Sequence, residues 1–202
     1  MILPGVAAYD ENAAELVAEY ERLRFADVHA GWLDLLPAAP ARVLDVGAGS
    51  GRDAAALSRL GHRVTAVEPS DGLRTLARRR HADVPVVWLD DALPALPSLG
   101  DARFDLVLLS AVWMHLAPDE RSAAMRRVAE LLAPSGTAVL TLRLGPPPPG
   151  RRMFEVDPDG TAALGAREGL RVVRRVDSPD LLERPGVGWT AVAFGKPQTI
   201  PT

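Results

Sequence analysis

The chain contains no cysteine, so disulfide frameworks and thiolate metal sites are excluded, and the composition fits a reducing compartment. Positive charge is not in excess either: 23 Lys plus Arg against 26 Asp plus Glu leave a formal net charge of −3. That balance lacks the basic footprint of a nucleic-acid binder. No uninterrupted apolar run approaches the length of a membrane span, and the first residues lack the basic stretch and apolar core of a secretory leader. The expectation is a cytoplasmic protein without nucleic-acid or membrane partners. Lys196 is the only lysine, whereas arginine, alanine and proline are abundant, a usage that suggests a GC-rich bacterial genome.

What is present is enough for a sizeable core. With 202 residues, 48% of them hydrophobic, the expectation is one domain over residues 1–202. Apolar runs alternate with amphipathic segments. Ala41–Val46, Arg63–Glu68, Val84–Leu89, Phe104–Ser110 and Thr137–Arg143 read as strands. Ser50–Leu60, Ser70–His81 and Asp119–Ala133 read as helices, with Ser70 and Asp119 as N-caps and Gly61 and Pro134-Ser135-Gly136 as stops. Such alternation predicts an open α/β fold with a mostly parallel sheet. Residues 1–36 precede the sheet and predict one or two helices carrying Tyr9, Tyr20, His29 and Trp32. Beyond residue 145 the pattern changes. Pro146–Pro149 cannot lie within a helix or a central strand. Asp157–Gly169 then reads as helical, and Leu170–Val176 and Val187–Phe194 as two late strands, with a hairpin plausible between them.

The most informative segment is Val43-Leu44-Asp45-Val46-Gly47-Ala48-Gly49-Ser50-Gly51-Arg52-Asp53. A strand runs into glycines at alternate positions, and a helix follows. Backbone needs that freedom when it passes close to a ligand. The dinucleotide fingerprint Gly-x-Gly-x-x-Gly is not met, because Arg52 stands at its third glycine.

Taken with Ala66-Val67-Glu68-Pro69-Ser70, Asp90-Asp91-Ala92-Leu93-Pro94, Phe104-Asp105-Leu106-Val107 and Leu131-Leu132-Ala133-Pro134-Ser135-Gly136, in that order, the chain resembles the class I S-adenosylmethionine-dependent methyltransferases. The resemblance is close over residues 40–145 and loose outside them. It implies a Rossmann-like seven-stranded, mostly parallel sheet in the order 3-2-1-4-5-7-6, with its seventh strand antiparallel and helices on both faces. It also implies an N-terminal helical lid over residues 1–36 that brings Tyr9 to the cofactor, with plain core packing as the alternative for that segment.

On that reading S-adenosylmethionine lies outside the carboxyl ends of the strands. Gly47, Ala48, Gly49, Gly51 and Arg52 form its cradle, and Asp45 takes its ammonium or holds the loop. Glu68, followed by Pro69, accepts from the ribose hydroxyls. Asp91 with Ala92 meets adenine; the adjacent Asp90 is the competing choice, and Asp91 is favoured. Ser110 and Ala111 permit close approach to the methyl group. Trp113 packs on adenine or on the acceptor; for His115 the alternative to a base is merely to order the loop. His115 is the best-placed general base. Arg143, Arg151 and Arg152 flank the proline run and suit an anionic group on a small-molecule acceptor. Direct methyl displacement calls for no metal and no covalent enzyme intermediate. Two rivals stand beside this reading: a non-catalytic cofactor- or partner-binding module, and a nicotinamide-dependent dehydrogenase, against which Arg52 counts.

Overall fold

The computed structural model describes residues 6–147 and 151–197; Pro148 and Pro149 of the proline run, and residues 1–5, lie outside the described residues. Seven strands form one sheet: β1 (Arg42–Val46), β2 (Arg63–Val67), β3 (Val86–Leu89), β4 (Phe104–Ser110), β5 (Leu132–Leu144), β6 (Arg171–Pro179) and β7 (Gly188–Gly195). Their order is β3-β2-β1-β4-β5-β7-β6. Strands β1 to β5 are mutually parallel where they pair, and β7 runs antiparallel to both β5 and β6. The expected sheet is therefore present in order and in strand sense.

Side-chain alternation along β1 explains how it serves both faces. Leu44 and Val46 enter the core that also holds Val107, Leu109, Val128 and Phe194. Val43 turns to the opposite core with Trp32, Ala54, Leu57 and Val64. Asp45 shares the side of Val43, which carries a carboxylate beneath helix α4 (Arg52–Arg59). The strand order reverses between β1 and β4, and it is outside the carboxyl ends at such a reversal that open α/β sheets leave a crevice.

Helices α5 (Asp71–Arg80), α6 (Arg121–Leu131) and α7 (Pro158–Arg167) complete the layers. Ser70 caps α5, its hydroxyl accepting from the Leu73 N–H at 3.1 Å. Asp119 does not cap α6. The preceding turn is closed instead by Glu120, whose carboxylate accepts from the Ala117 N–H at 2.7 Å, and the helix begins at Arg121. No helix among the described residues is long and apolar enough to cross a membrane.

The N-terminal segment is more broken than expected. It forms α1 (Val6–Glu11), α2 (Ala13–Tyr20), α3 (Phe25–Val28) and a 3-10 turn at Leu33–Leu35. Apolar contact and two carboxylates tie it down. Ala13, Leu16 and Val17 pack on Leu73 of α5. Asp10 accepts from the Ser70 hydroxyl at 2.5 Å and the Gly72 N–H at 2.9 Å, joining α1 to the start of α5. Glu21 accepts from Ser50 at 2.8 Å, Arg80 at 2.9 Å and His81 at 3.2 Å, joining the end of α2 to the glycine turn and to the end of α5.

Candidate active site

At the carboxyl ends of β1, β2 and β4 the chain encloses a cavity of about 540 Å³. Its walls begin with the glycine turn. Gly47 and Gly49 have φ of +66° and +56°, in the left-handed region where a side chain is strained. A Cβ at Gly47 would also stand 2.6 Å from a methyl of Val112. Gly51 (φ +82°) serves a different end. A Cβ there would meet Trp88 at 2.9 Å, His81 at 3.0 Å and Ala77 at 3.1 Å, so this glycine lets α4 close on β3 and α5. The residues around it, Gly47 to Ser50 and Arg52, line the cavity, and Gly51 does not. The expectation that Gly51 faces a ligand is corrected accordingly.

Beneath the turn lies a buried polar network. Asp53 accepts from His29 Nε2 at 2.9 Å and from Arg52 Nε and Nη2 at 2.7 and 3.1 Å. Burial pushes the Asp53 carboxyl up, but His29 and Arg52 outweigh it and hold the group below the usual carboxylate range. Asp45 is 1% exposed, and its Oδ2 has no hydrogen-bond partner among the described residues. Burial, and next the charge of Asp53, push its carboxyl well above the ordinary value.

Glu68 follows β2 and turns both oxygens to backbone: Oε2 accepts from Gly49 N–H at 2.8 Å and Oε1 from Ser70 N–H at 2.9 Å. Burial raises its carboxyl, against the pull of those two amides. Asp91 lines the cavity with Ala92 and Leu93, whereas Asp90 is exposed and pairs with Arg74 at 3.4 Å. The Asp91 carboxylate accepts from the N–H groups of Ala92 and Ser98, each at 2.7 Å, and from the Ser98 hydroxyl. These bonds fix the bend after β3.

After β4, Ser110 and Ala111 line the cavity as well. Ala111 has φ +58°, and the Thr141 hydroxyl on β5 holds it by accepting its N–H at 2.8 Å. The next residues form a 3-10 turn at Trp113–His115, which rotates Trp113 away. Trp113 is 0% exposed and sits in the core with Leu44, Leu109 and Met125. It lines no part of the cavity, so its expected contact with adenine or acceptor is corrected to core packing.

His115 does reach the cavity, and it is held from two sides. Its Nδ1 lies 3.1 Å from the Arg152 carbonyl, and its Nε2 lies 3.1 Å from the Tyr9 hydroxyl. A carbonyl only accepts, so Nδ1 carries the proton and Nε2 accepts from Tyr9. Burial lowers the imidazole below its ordinary value and raises the Tyr9 phenol. Arg143, Arg151 and Arg152 line the cavity too, joined by Asp180 and Arg184 from the segment between β6 and β7 and by Trp189 of β7. Asp53, Glu21, Thr141 and this last trio were not singled out from the sequence, and His29 only as a residue of the N-terminal segment. Asp53, His29, Glu21 and Thr141 work through partners distant in the chain, whereas Asp180, Arg184 and Trp189 bind one another across one loop; Asp53 also had a local signal, its place directly after the glycine motif.

Comparison with known proteins gives a consistent result. A family profile described as a methyltransferase domain matches residues 44–140. An uncharacterized methyltransferase of Mycobacterium bovis is 37% identical over 109 residues, 53% of this chain and 53% of its own length. The chain thus spans about half the length of the curated relatives it matches. Among solved structures, a TehB-like SAM-dependent methyltransferase from Corynebacterium glutamicum superposes with a TM-score of 0.71 at 22% identity, covering 94% of this chain and 99% of that one. The Burkholderia thailandensis 1,6-didemethyltoxoflavin-N1-methyltransferase, solved with 1,6-didemethyltoxoflavin and S-adenosylhomocysteine bound, superposes with a TM-score of 0.64 at 25% identity, covering 93% and 90%.

Proposed function

We propose that this chain is a class I S-adenosylmethionine-dependent methyltransferase and transfers the methyl group of that cofactor to a small-molecule acceptor. The observation that carries the reading is the unpartnered Asp45 Oδ2, buried under a left-handed glycine turn at the sheet's reversal point. A buried carboxylate oxygen without a donor matches an ammonium group, and the residues beside it suit the remainder of the cofactor. Asp45 holds the ammonium, the Gly47–Gly49 backbone follows the methionine portion, Glu68 offers its remaining lone pairs to the ribose, and Asp91 with Ala92 frames the adenine. When bound, S-adenosylmethionine supplies a methyl group on a positively charged sulfur. The chain's part is to align the acceptor with that methyl and to keep water out. The Burkholderia neighbour, with its small heterocyclic substrate, supports an acceptor of that size.

His115 and Tyr9 move the acceptor's proton where the nucleophile must lose one. The Tyr9 oxygen accepts it while passing its own proton to Nε2 of His115. The Arg152 carbonyl keeps Nδ1–H in place, so the imidazole has one free basic site and a fixed direction. Tyr9→Phe tests this pairing without an acceptor. A hydrogen bond donated to Nε2 favours neutral imidazole, so its loss should move the His115 titration to higher pH in a nitrogen-detected NMR experiment. An unchanged titration and tautomer would show that Tyr9 does not hold Nε2.

Calorimetry tests the cofactor reading. S-adenosylmethionine and S-adenosylhomocysteine should bind and NAD(H) should not; failure of the first two to bind sinks the proposal. The raised Asp45 carboxyl adds a sign to the experiment. An ammonium favours the carboxylate, so binding should release a proton, and affinity should rise with pH until that raised value is passed. Asp45→Asn should abolish the proton release and weaken binding by roughly 1.5–3 kcal/mol. Proton release that persists in Asp45→Asn assigns the proton to another group. Turnover with an acceptor separates an enzyme from a module that only binds.

A further inference from the structure

We propose that Arg143, Arg184 and Arg151 form a receptor for an oxyanion on the methyl acceptor, a carboxylate or a phosphate. The inference rests on the methyltransferase reading and narrows its substrate class. All three arginines line the same cavity as the glycine turn; Arg143 and Arg184 lie on the side of β5 and β7, and Arg151 lies over Tyr9. Arg143 sits near the end of β5, directly across from Trp189 on β7. Strand β4 separates β5 from β1, so Arg143 stands about two strand spacings, ~10 Å, from Asp45. The acids that line the β1–β3 side are Asp45, Asp53, Glu68 and Asp91. Four carboxylates therefore stand toward the cofactor end, where Arg52 is paired with Asp53, whereas Arg143 and Arg184 stand at the other end with Asp180.

The basic end is short of counter-charge among the described residues. Arg143 is 9% exposed, yet its Nη1 donates only to the carbonyls of Gly145 and Pro146, at 3.3 and 2.8 Å. Its Nε has no hydrogen-bond partner among the described residues. Arg151 lies over the Tyr9 ring, 5.6 Å from its centroid. Among the described residues neither of these two arginines has an ion-pair partner, whereas Arg184 is paired with Asp180. Asp180 is the one acid within the cluster, and it is saturated. Its Oδ1 accepts from Arg184 Nη2 at 2.6 Å and Trp189 Nε1 at 2.8 Å, and its Oδ2 from Arg184 Nε and the Arg184 N–H, both at 2.9 Å. One carboxylate thus faces three guanidinium groups. Glu120 also lines the cavity, with one oxygen committed to the Ala117 N–H. Burial first, and then the charge of Arg184, hold the Arg143 guanidinium below its ordinary value, against the pull of Asp180. Buried cations in that state favour an arriving anion, and the planar guanidinium suits two oxygens at once.

The test uses the full chain saturated with S-adenosylhomocysteine and calorimetric titration with matched probes. These are benzoate against benzamide, phenyl phosphate against phenol, and inorganic phosphate alone. The anionic member of at least one pair should bind at least about tenfold more tightly than its neutral partner. Arg143→Gln and Arg184→Gln should each reduce that preference by on the order of tenfold while leaving S-adenosylhomocysteine affinity intact. Intact affinity also shows that the variants fold, and Arg143→Lys, which keeps the charge, should retain part of the preference. The carboxylate and phosphate arms identify the headgroup. No anion preference in the parent chain, or equal preference in both glutamine variants, overturns the proposal. Loss of S-adenosylhomocysteine binding in the parent chain would instead overturn the cofactor reading on which it rests.

Discussion

Asp53→Ala should lower the free energy of unfolding by about 3–5 kcal/mol in a urea titration, the range for breaking a buried ion pair from one side. His29 is 0% exposed, and its Nδ1 already lacks a partner among the described residues. Without Asp53 its Nε2 would lose its acceptor as well. Arg52 would keep only the Tyr20 carbonyl, at 3.4 Å. Two buried donors would thus be left without their carboxylate. The pH dependence follows from the depressed carboxyl of Asp53. A group of that kind contributes fully above its unfolded value of about 4, and the contribution fades as pH falls toward the folded value. The part of the gap that comes from Asp53's own ionisation should therefore be constant from neutral pH down to about 4 and narrow only below it. A second effect distinguishes this network from an ordinary core pair. The charge of Asp53 is one reason that Asp45 is raised. Its removal should bring Asp45 down and shrink the proton release on cofactor binding. A stability loss under about 1 kcal/mol would show that desolvation cancels the pair, as it can in buried ion pairs.

The contrast between Asp45 and Asp53 also marks where sequence reasoning reaches its end. The strand before the glycines, the capped helix at Ser70 and the late antiparallel pair are legible because periodicity and turn chemistry are local properties. The order of the sheet came from the resemblance of several spaced motifs, not from any one of them. The partnership of His29 with Asp53 spans 24 residues and depends on how α3 lands on α4, which no local pattern encodes. Arg143 and Trp189 meet through the antiparallel register of β5 and β7. A shift of one residue there would send each side chain to the opposite face of the sheet. Trp113 shows the reverse case. A large aromatic after a strand end suits contact with adenine or acceptor, but a single 3-10 turn sends this one into the core. Gly51 belongs with it: its spacing matches a ligand cradle, while its neighbours Trp88, His81 and Ala77 make it a packing glycine.

Glu68→Gln should damage cofactor binding nearly as much as Glu68→Ala, and that equivalence is the informative result. Both Glu68 oxygens act as acceptors toward backbone, one for Gly49 and one for Ser70. Gln has one carbonyl oxygen, and its NH₂ group would point a donor at a second donor. Whichever way the amide turns, one buried N–H loses its acceptor. If Gly49 is released, the glycine turn loses the bond that ties it to the end of β2. If Ser70 is released, the cap of α5 loosens, and with it the Asp10 contact that holds α1. Each charged hydrogen bond is worth about 1.5–3 kcal/mol, so loss of the turn together with the ribose contacts should weaken S-adenosylhomocysteine binding by roughly 100-fold or more. Hydrogen exchange separates the two routes, because protection should fall at Gly49 in one and at Ser70 in the other. Were Glu68 only a ribose ligand, Gln would keep one acceptor and bind with intermediate affinity while both amides stayed protected. That pattern would confine Glu68 to the cofactor and take the shaping of the turn away from it. The expected pattern makes the same carboxylate the brace of the turn and the seat of the ribose, so the cradle's shape and its occupancy depend on one side chain.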